Sequence, residues 1–172
     1  MSIELNVIHN ANLYLNGNTQ IGRANEVKLP EIEILQDEHQ GLGMAFDISL
    51  PKGFKVGEGE INWNSLYADA FAGVYQPFKA QQLMVRGNLQ VHNAQGLAQE
   101  QQVVALLTVI FSKVPLGGFK PKERAEWPST FTCTAGSIKH AGRELLSFDA
   151  FANKYRVSGQ DQLAQMRRNI GQ

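Results

Sequence analysis

Glu58 and Glu60 stand two positions apart and would share one face of a strand, an arrangement in which one carboxyl group can hold a proton while the other accepts one. That is the nearest approach in this sequence to an acid–base pair. The same two residues beside Gly57 and Gly59 also describe a solvated sheet edge, and that reading is preferred. The histidines at 9, 39, 92 and 140 form no i, i+4 pair and have no cysteine neighbour, so no zinc site, and no other cofactor, is expected. Cys133, the lone cysteine, lies in a strand-like run of threonines and reads as a small core residue. Gly41-Leu42-Gly43 does not extend to a dinucleotide fingerprint, because Phe46 stands where the third glycine belongs. Neither a phosphate-loop lysine motif nor a Gly-x-Ser-x-Gly elbow occurs. No convergent acid, base, nucleophile or metal set can be named, and the chain reads as a non-enzyme.

Trp63, Tyr67, Phe71, Tyr75 and Phe78 could stack on nucleobases, but such a platform works together with a basic groove. Lys113, Lys120, Lys122 and Arg124 are diluted by Glu123 and Glu126, so the cluster reads as a solvated loop and the aromatics as core. Across the chain, sixteen Lys and Arg balance sixteen Asp and Glu. No excess of cations is available to release phosphate counterions, which excludes avid coating of nucleic acid. The apolar run Val103 to Phe111 is interrupted by Thr108 and falls short of the ~20 residues of a membrane helix. Met1-Ser2-Ile3-Glu4 lacks the basic-then-apolar layout of a secretory leader, so assembly in the cytoplasm is expected. At 172 residues the chain is long enough for one domain, 1–172, with a sizeable core.

The elements that would position these residues are mainly strands. From Gln82 to His92, Leu83, Val85, Gly87, Leu89 and Val91 alternate with Gln82, Met84, Arg86, Asn88, Gln90 and His92. A polar stretch, Asn93 to Glu100, leads into an apolar run from Gln102 to Lys113, whose β-branched residues favour a strand over a buried helix. The two read as a long hairpin. After a breaker cluster at Pro115, Gly117, Gly118 and Pro121, a third strand is expected from about Ser129 to His140, with Thr130, Thr132 and Thr134 on one face. Ala141-Gly142-Arg143 supplies a turn before a fourth strand over Glu144 to Phe151. Asn16-Gly17 marks an opening hairpin after Leu13 and Leu15, and Glu26 to Ile34 continues the β character, with Pro30 at an edge or bulge.

Between Asp37 and Gly59 the chain carries Gly41, Gly43, Pro51, Gly53, Gly57 and Gly59, and a long loop is expected. Asn64 or Ser65 is expected to cap a short helix bearing Leu66, Ala70 and Phe71, with Gly73 as its stop. A second helix follows Asp161, with Leu163, Met166 and Ile170 as an apolar stripe and Arg167 and Arg168 near its end.

Several segments in order resemble one family. Asn12-Leu13-Tyr14-Leu15-Asn16-Gly17, Val27-Lys28-Leu29-Pro30 and His39-Gln40-Gly41-Leu42-Gly43-Met44 are similar to the major tail tube protein of contractile-tailed phages and R-type pyocins. The resemblance resumes at Gly118 to Glu126, continues over Ile138 to Leu145, and closes with Asp161-Gln162-Leu163 and Arg167-Arg168-Asn169-Ile170-Gly171. Phe46 to Gly59 and the middle hairpin match by pattern only.

The resemblance implies a small β-barrel or sandwich with a flanking helix, whose sheets join those of neighbours into one continuous inner barrel. It implies hexameric rings stacked into a hollow cylinder inside a contractile sheath, with baseplate and tail-terminator proteins at its ends. The tape-measure protein and then DNA would occupy the bore without specific binding, and the location would be the virion tail. Exposed strand edges in a lone copy suit such association. Gln82, Asn88 and Gln90, and separately Thr130, Thr132 and Thr134, are candidate wall positions because they hydrate without attracting phosphate. Arg86 would be an exception unless a neighbouring carboxylate pairs with it. Gly41, Leu42, Gly43, Met44 and Phe46 are candidates for contact with an adjacent subunit or ring, and Arg167 and Arg168 for contact with the sheath. Two alternatives stay open: the tube of a phage-like injection or secretion machine, and a monomeric β-barrel that binds a small apolar ligand.

Overall fold

The computed structural model describes residues 3–123 and 125–172. Met1 and Ser2 of the leader reading and Arg124 of the basic cluster lie outside them. In chain order the elements are β1 (Leu5–Leu15), β2 (Asn18–Thr19), β3 (Ala24–Lys28), β4 (Ile32–His39), β5 (Ile48–Val56), β6 (Glu58–Trp63), α1 (Ala68–Val74), β7 (Gln81–Asn93), β8 (Gly96–Lys113), β9 (Trp127–His140), β10 (Arg143–Asp149), β11 (Lys154–Val157), β12 (Gln160–Asp161) and α2 (Ala164–Asn169). Ten strands form one antiparallel sheet in the order β12-β11-β10-β9-β8-β7-β1-β2, with β6 laddered to the first half of β9 and β3 to β6. β4 and β5 pair only with each other. The ladders of the large sheet end at β2, β3 and β12, and among the described residues none of these ends is laddered to another. The closed single-chain barrel that the small-ligand alternative required is therefore not completed by backbone pairing among the described residues.

Alternation specified the long strands, and turn chemistry joined them. Asn16 and Gly17 have φ of 49° and 82°, and Ala141 and Gly142 have 47° and 79°. Two successive positive values suit the twist of a tight antiparallel hairpin, as expected at both sites. The ladder between β7 and β8 runs from Gln81↔Val109 to Asn93↔Gly96, so residues 96–100 of the polar stretch expected between the two arms belong to the strand. In β8, Ala105, Leu107, Val109 and Phe111 are buried while Leu106, Thr108 and Ile110 point to the other face. The run looked uniformly apolar because its outward residues are largely apolar too.

The core gathers under one face of the sheet: Leu13, Leu15, Leu83, Leu107, Val109, Phe111 and Phe131 meet Ile61, Trp63 and Trp127, and Phe71 and Val74 of α1 close it. Full burial of each large side chain contributes about 1.5–3 kcal/mol. Trp63 Nε1 donates to Ser129 Oγ at 2.9 Å, and Ser129 Oγ donates to the Ile61 carbonyl, so the polar atoms of these two buried side chains are satisfied. Phe71 packs edge-on against Trp127, with centroids 5.7 Å apart. The aromatic series departs from expectation at its end: Phe78 is 98% exposed and Tyr75 40%. α1 also starts later than expected, after Tyr67, with no side-chain cap, and Gly73 lies inside it. Asn64 is occupied elsewhere, donating to the Gly22 carbonyl and accepting from the Tyr67 hydroxyl.

The expected loop over Asp37 to Gly59 is instead the β4–β5 hairpin, a turn at 40–47, and the start of β6. Its glycines and proline have other causes than disorder. Pro51 pairs with Gln36 at a bulge, where a missing amide donor is tolerated. Gly59 lies so close to Phe131 that a Cβ there would sit 2.3 Å from its Cζ. Pro30 separates β3 from β4. Beyond the four strands expected in the second half, β11 and β12 extend the sheet by two short ones.

Candidate functional site

The two sets of candidate wall residues lie on one face of the sheet, opposite the core. Gln82 is the ladder partner of Thr108, and alternation along β8 carries that face to Ile110, the partner of Thr132. Gln82 and Thr132 are exposed, and Asn88, Gln90 and Thr130 are half-buried. Strict alternation fails at Thr134. A bulge sets Val109 opposite Cys133 and Thr108 opposite Ala135, leaving Thr134 as the extra residue with its hydroxyl donating to the Thr108 carbonyl. Past the bulge Gly136 and Ile138 turn inward, where Gly136 makes room for Leu107 and Phe148.

Asn88 Nδ2 and Gln90 Nε2 both donate to Glu100 Oε1 at 2.9 Å. These bonds favour the charged form, so the Glu100 carboxyl is held below its ordinary value, first by Gln90 and then by Asn88. Glu58 lies 3.5 Å from Lys113 and accepts from Ser112, and Glu60 is the ladder partner of Thr130. The two glutamates thus share an outward face, as their spacing indicated. Arg86 is exposed between Asn12 and Val104 on the neighbouring strands. Among the described residues it has no carboxylate within ion-pair distance. The face is less polar than its β7 residues indicated, because Met84, Val104, Leu106 and Ile110 share it.

Gly41, Leu42, Gly43, Met44 and Phe46 occupy the tip of the β4–β5 hairpin. Leu42 is fully exposed, Phe46 82% and Met44 41%. Gly43 has φ of 84°, and the Met44 amide donates to the Gly41 carbonyl to close the turn. Ile34, Ile48 and Leu50 are exposed along the strands. At its base the hairpin is attached to the large sheet: the Phe54 ring stacks on Tyr155. Beside that stack runs an apolar groove of about 570 Å³, lined by Ile34, Phe54, Phe148, Leu163 and Met166 among others.

The two candidate sheath residues diverge. Arg167 Nη2 lies 2.6 Å from Asp161 Oδ2, and its Nη1 donates to the Asn153 carbonyl at 2.8 Å. Asp161 Oδ1 also accepts from the Leu163 amide ahead of α2. The bond from Arg167 holds the Asp161 carboxyl down at about 2. Arg167 is thus committed to an internal clasp, and Arg168 is the exposed member of the pair.

Sequence reasoning missed the first half of β1. Leu5, Val7 and Ile8 are exposed there, and on that stretch β1 ladders with β7 on one side only. The alternation Ile3, Leu5, Val7 against Glu4, Asn6 was its signal. β8 has a similar bare flank over residues 96–101, before the Ala141 amide donates to the Gln102 carbonyl and the ladder with β9 begins at Val103.

Among solved structures, a chain from the sheath/tube terminator of an extracellular contractile injection system, PVC, in its extended state is similar at 10% identity, over 77% of this chain and 95% of that one, with a TM-score of 0.57. Hcp1 from Salmonella typhimurium matches at 12% identity over 85% of this chain and 99% of that one, with a TM-score of 0.43. No curated protein matches the sequence significantly. The fold is thus of the β-rich class also found in that terminator chain. Residues 5–171 match the phage tail tube protein FII family, and the chain belongs to it.

Proposed function

We propose that this chain is the repeating unit of a phage tail tube, in which six copies close a ring and rings stack into a hollow cylinder within a contractile sheath. The observation that carries this reading is the bare outer edge of β1 from Leu5 to Asn12. A row of unpaired amides and carbonyls flanked by exposed Leu5, Val7 and Ile8 is a template for another strand, and family membership favours a second copy as its source. The bare flank of β8 offers a complementary edge. A heterologous contact repeated about an axis closes a ring.

Gln82, Asn88, Gln90, Thr130 and Thr132 would then line the bore, with Thr134 set aside by its bulge. Their hydroxyls and amides, with Glu100 already solvated by two of them, hydrate without attracting phosphate, and Arg86 and Lys139, which flank Val104 on the same face, are the cations a sliding polyanion would meet there. The tape-measure protein and then DNA would occupy that bore. The core side, with α1, would turn toward the sheath, and baseplate and terminator proteins would meet the tube's ends. The fold likeness to an injection-system chain favours one other reading, a tube carrying protein rather than DNA. Both readings require the same assembly.

Negative-stain electron microscopy of the purified chain at high concentration tests it. Rings or cylinders are expected, and a particle that stays monomeric at all concentrations would overturn the reading.

A further inference from the structure

The hairpin of β4 and β5 carries apolar side chains at its tip that nothing covers, and an apolar groove at its base that nothing fills. The tip presents Leu42, Met44 and Phe46. The groove is bounded by Ile34 and Phe54 on the hairpin and by Phe148, Leu163 and Met166 on the body. A chain cannot satisfy this pair by itself. The groove reaches along the hairpin to Pro51, three residues into β5, so at a strand's rise of 3.3 Å the tip beyond Ile48 lies at least about 10 Å from its near edge, on strands too stiff to fold back. The stack of Phe54 on Tyr155 and the bond from the Gly57 amide to the Glu31 carbonyl hold the base in place.

We infer that the hairpin tip of each copy seats in the basal groove of a second copy of this chain in the next ring. The inference rests on the tube reading and names the receptor for its axial contact. Charge agrees with shape. Glu38 near the end of β4 and Asp47 in the turn stand beside the tip, and the groove is lined by Lys154; none of the three has an ion-pair partner among the described residues. Asp149, the carboxylate beside Lys154 in the ladder, accepts instead from the Ala152 amide. Contacts within a ring are supplied by the edges of the large sheet, and neither β4 nor β5 belongs to it. Tip and groove are different surfaces at opposite ends of one hairpin, so the contact is head-to-tail and propagates along an axis. Each seat is small, but copies in one ring engage together, and their combined effect far exceeds that of one.

Cysteine cross-linking and mixing read this directly. Tubes of the Phe46→Cys, Met166→Cys double variant, oxidised mildly, should give denaturant-resistant ladders longer than the number of copies in a ring, and neither substitution alone should. Cys133 does not compete, being buried with its thiol pushed up to about 11 by desolvation. Tubes without ladders, or ladders that stop at one ring, overturn the inference while leaving the tube reading intact. Because the double variant could fail to stack, Phe46→Asp and Met166→Asp are assayed as well. Each alone should give rings and at least tenfold fewer cylinders, and a mixture should give stacked ring pairs through the one intact tip-and-groove combination. Normal elongation by Phe46→Asp overturns the inference. A wild-type chain that forms neither rings nor cylinders removes the tube reading and this contact with it.

Discussion

The ring of Phe54 on β5 lies 4.3 Å from that of Tyr155 on β11, with the planes 14° from parallel. This contact ties the two-stranded hairpin to the ten-stranded sheet, although no backbone ladder joins them. An offset aromatic pair is worth about 0.5–1.5 kcal/mol beyond its buried area. Replacing Phe54 by Ala should lower stability by roughly 1–3 kcal/mol in urea, since the ring is 40% exposed and loses only part of a core truncation's cost. Far-ultraviolet circular dichroism should stay close to wild type, and tube yield should fall because the hairpin is no longer aimed. Wild-type yield with the same stability loss would separate the stack from assembly.

Gly59 to Ala is expected to destabilise by about 1–3 kcal/mol, the range for forcing atoms into a packed site. The added Cβ would fall 2.3 Å from Phe131 Cζ and 2.9 Å from the Lys28 carbonyl oxygen, and that backbone atom cannot move without disturbing β3. Chemical denaturation checks it, with Gly118 to Ala as a control at an open position.

The clasp of Asp161 by Arg167 should make stability sensitive to acid. The folded-state value of Asp161, about 2, lies below the unfolded value near 3.9, so its contribution is complete above about pH 5 and is lost as pH falls through about 2. Asp69, lowered by its bond to Arg23, adds in the same direction. Asp161→Asn should unfold earlier than wild type at pH 7, and the gap between the two should narrow through that window. A gap that stays constant down to pH 2 would remove Asp161 as its source.

Gln82 to Lys should leave tubes intact by electron microscopy and slow DNA ejection, with the delay shrinking as salt rises. Gln82 is exposed and its side chain meets no carboxylate, so the new cation would stay free. Ejection at the wild-type rate from assembled mutant tubes takes Gln82 off the wall.

Local pattern made the main strands legible. Alternation located β7, β9 and most of β10, and Asn16-Gly17 and Ala141-Gly142 located two turns. The β4–β5 hairpin was hidden because Gly and Pro were read as breakers. In fact Gly59 answers a crowding side chain 72 positions later in sequence, and Pro51 stands beside a bulge in its own strand, where Lys52 is the extra residue against Leu35 and Gln36. Such causes are non-local and leave no local signature. The same holds for the wall. Each polar row was visible, but their sharing of one face depends on β8 lying between them, and the departure of Thr134 depends on a bulge. Arg167 was identified at a helix end, yet its partner Asp161 and the Asn153 carbonyl come together only when β12 folds back on β11.

On the face away from the core, amides and hydroxyls alternate with Met84, Val104 and Leu106, and Glu100 is wrapped by its own neighbours. Over most of such a surface a long polymer meets many shallow footholds of similar depth, and the exceptions are Arg86 and Lys139, which flank Val104. Drag in a narrow passage is governed by the deepest trap on the path rather than by mean attraction, so those two cations, more than the average polarity of the face, would set how quickly a genome passes.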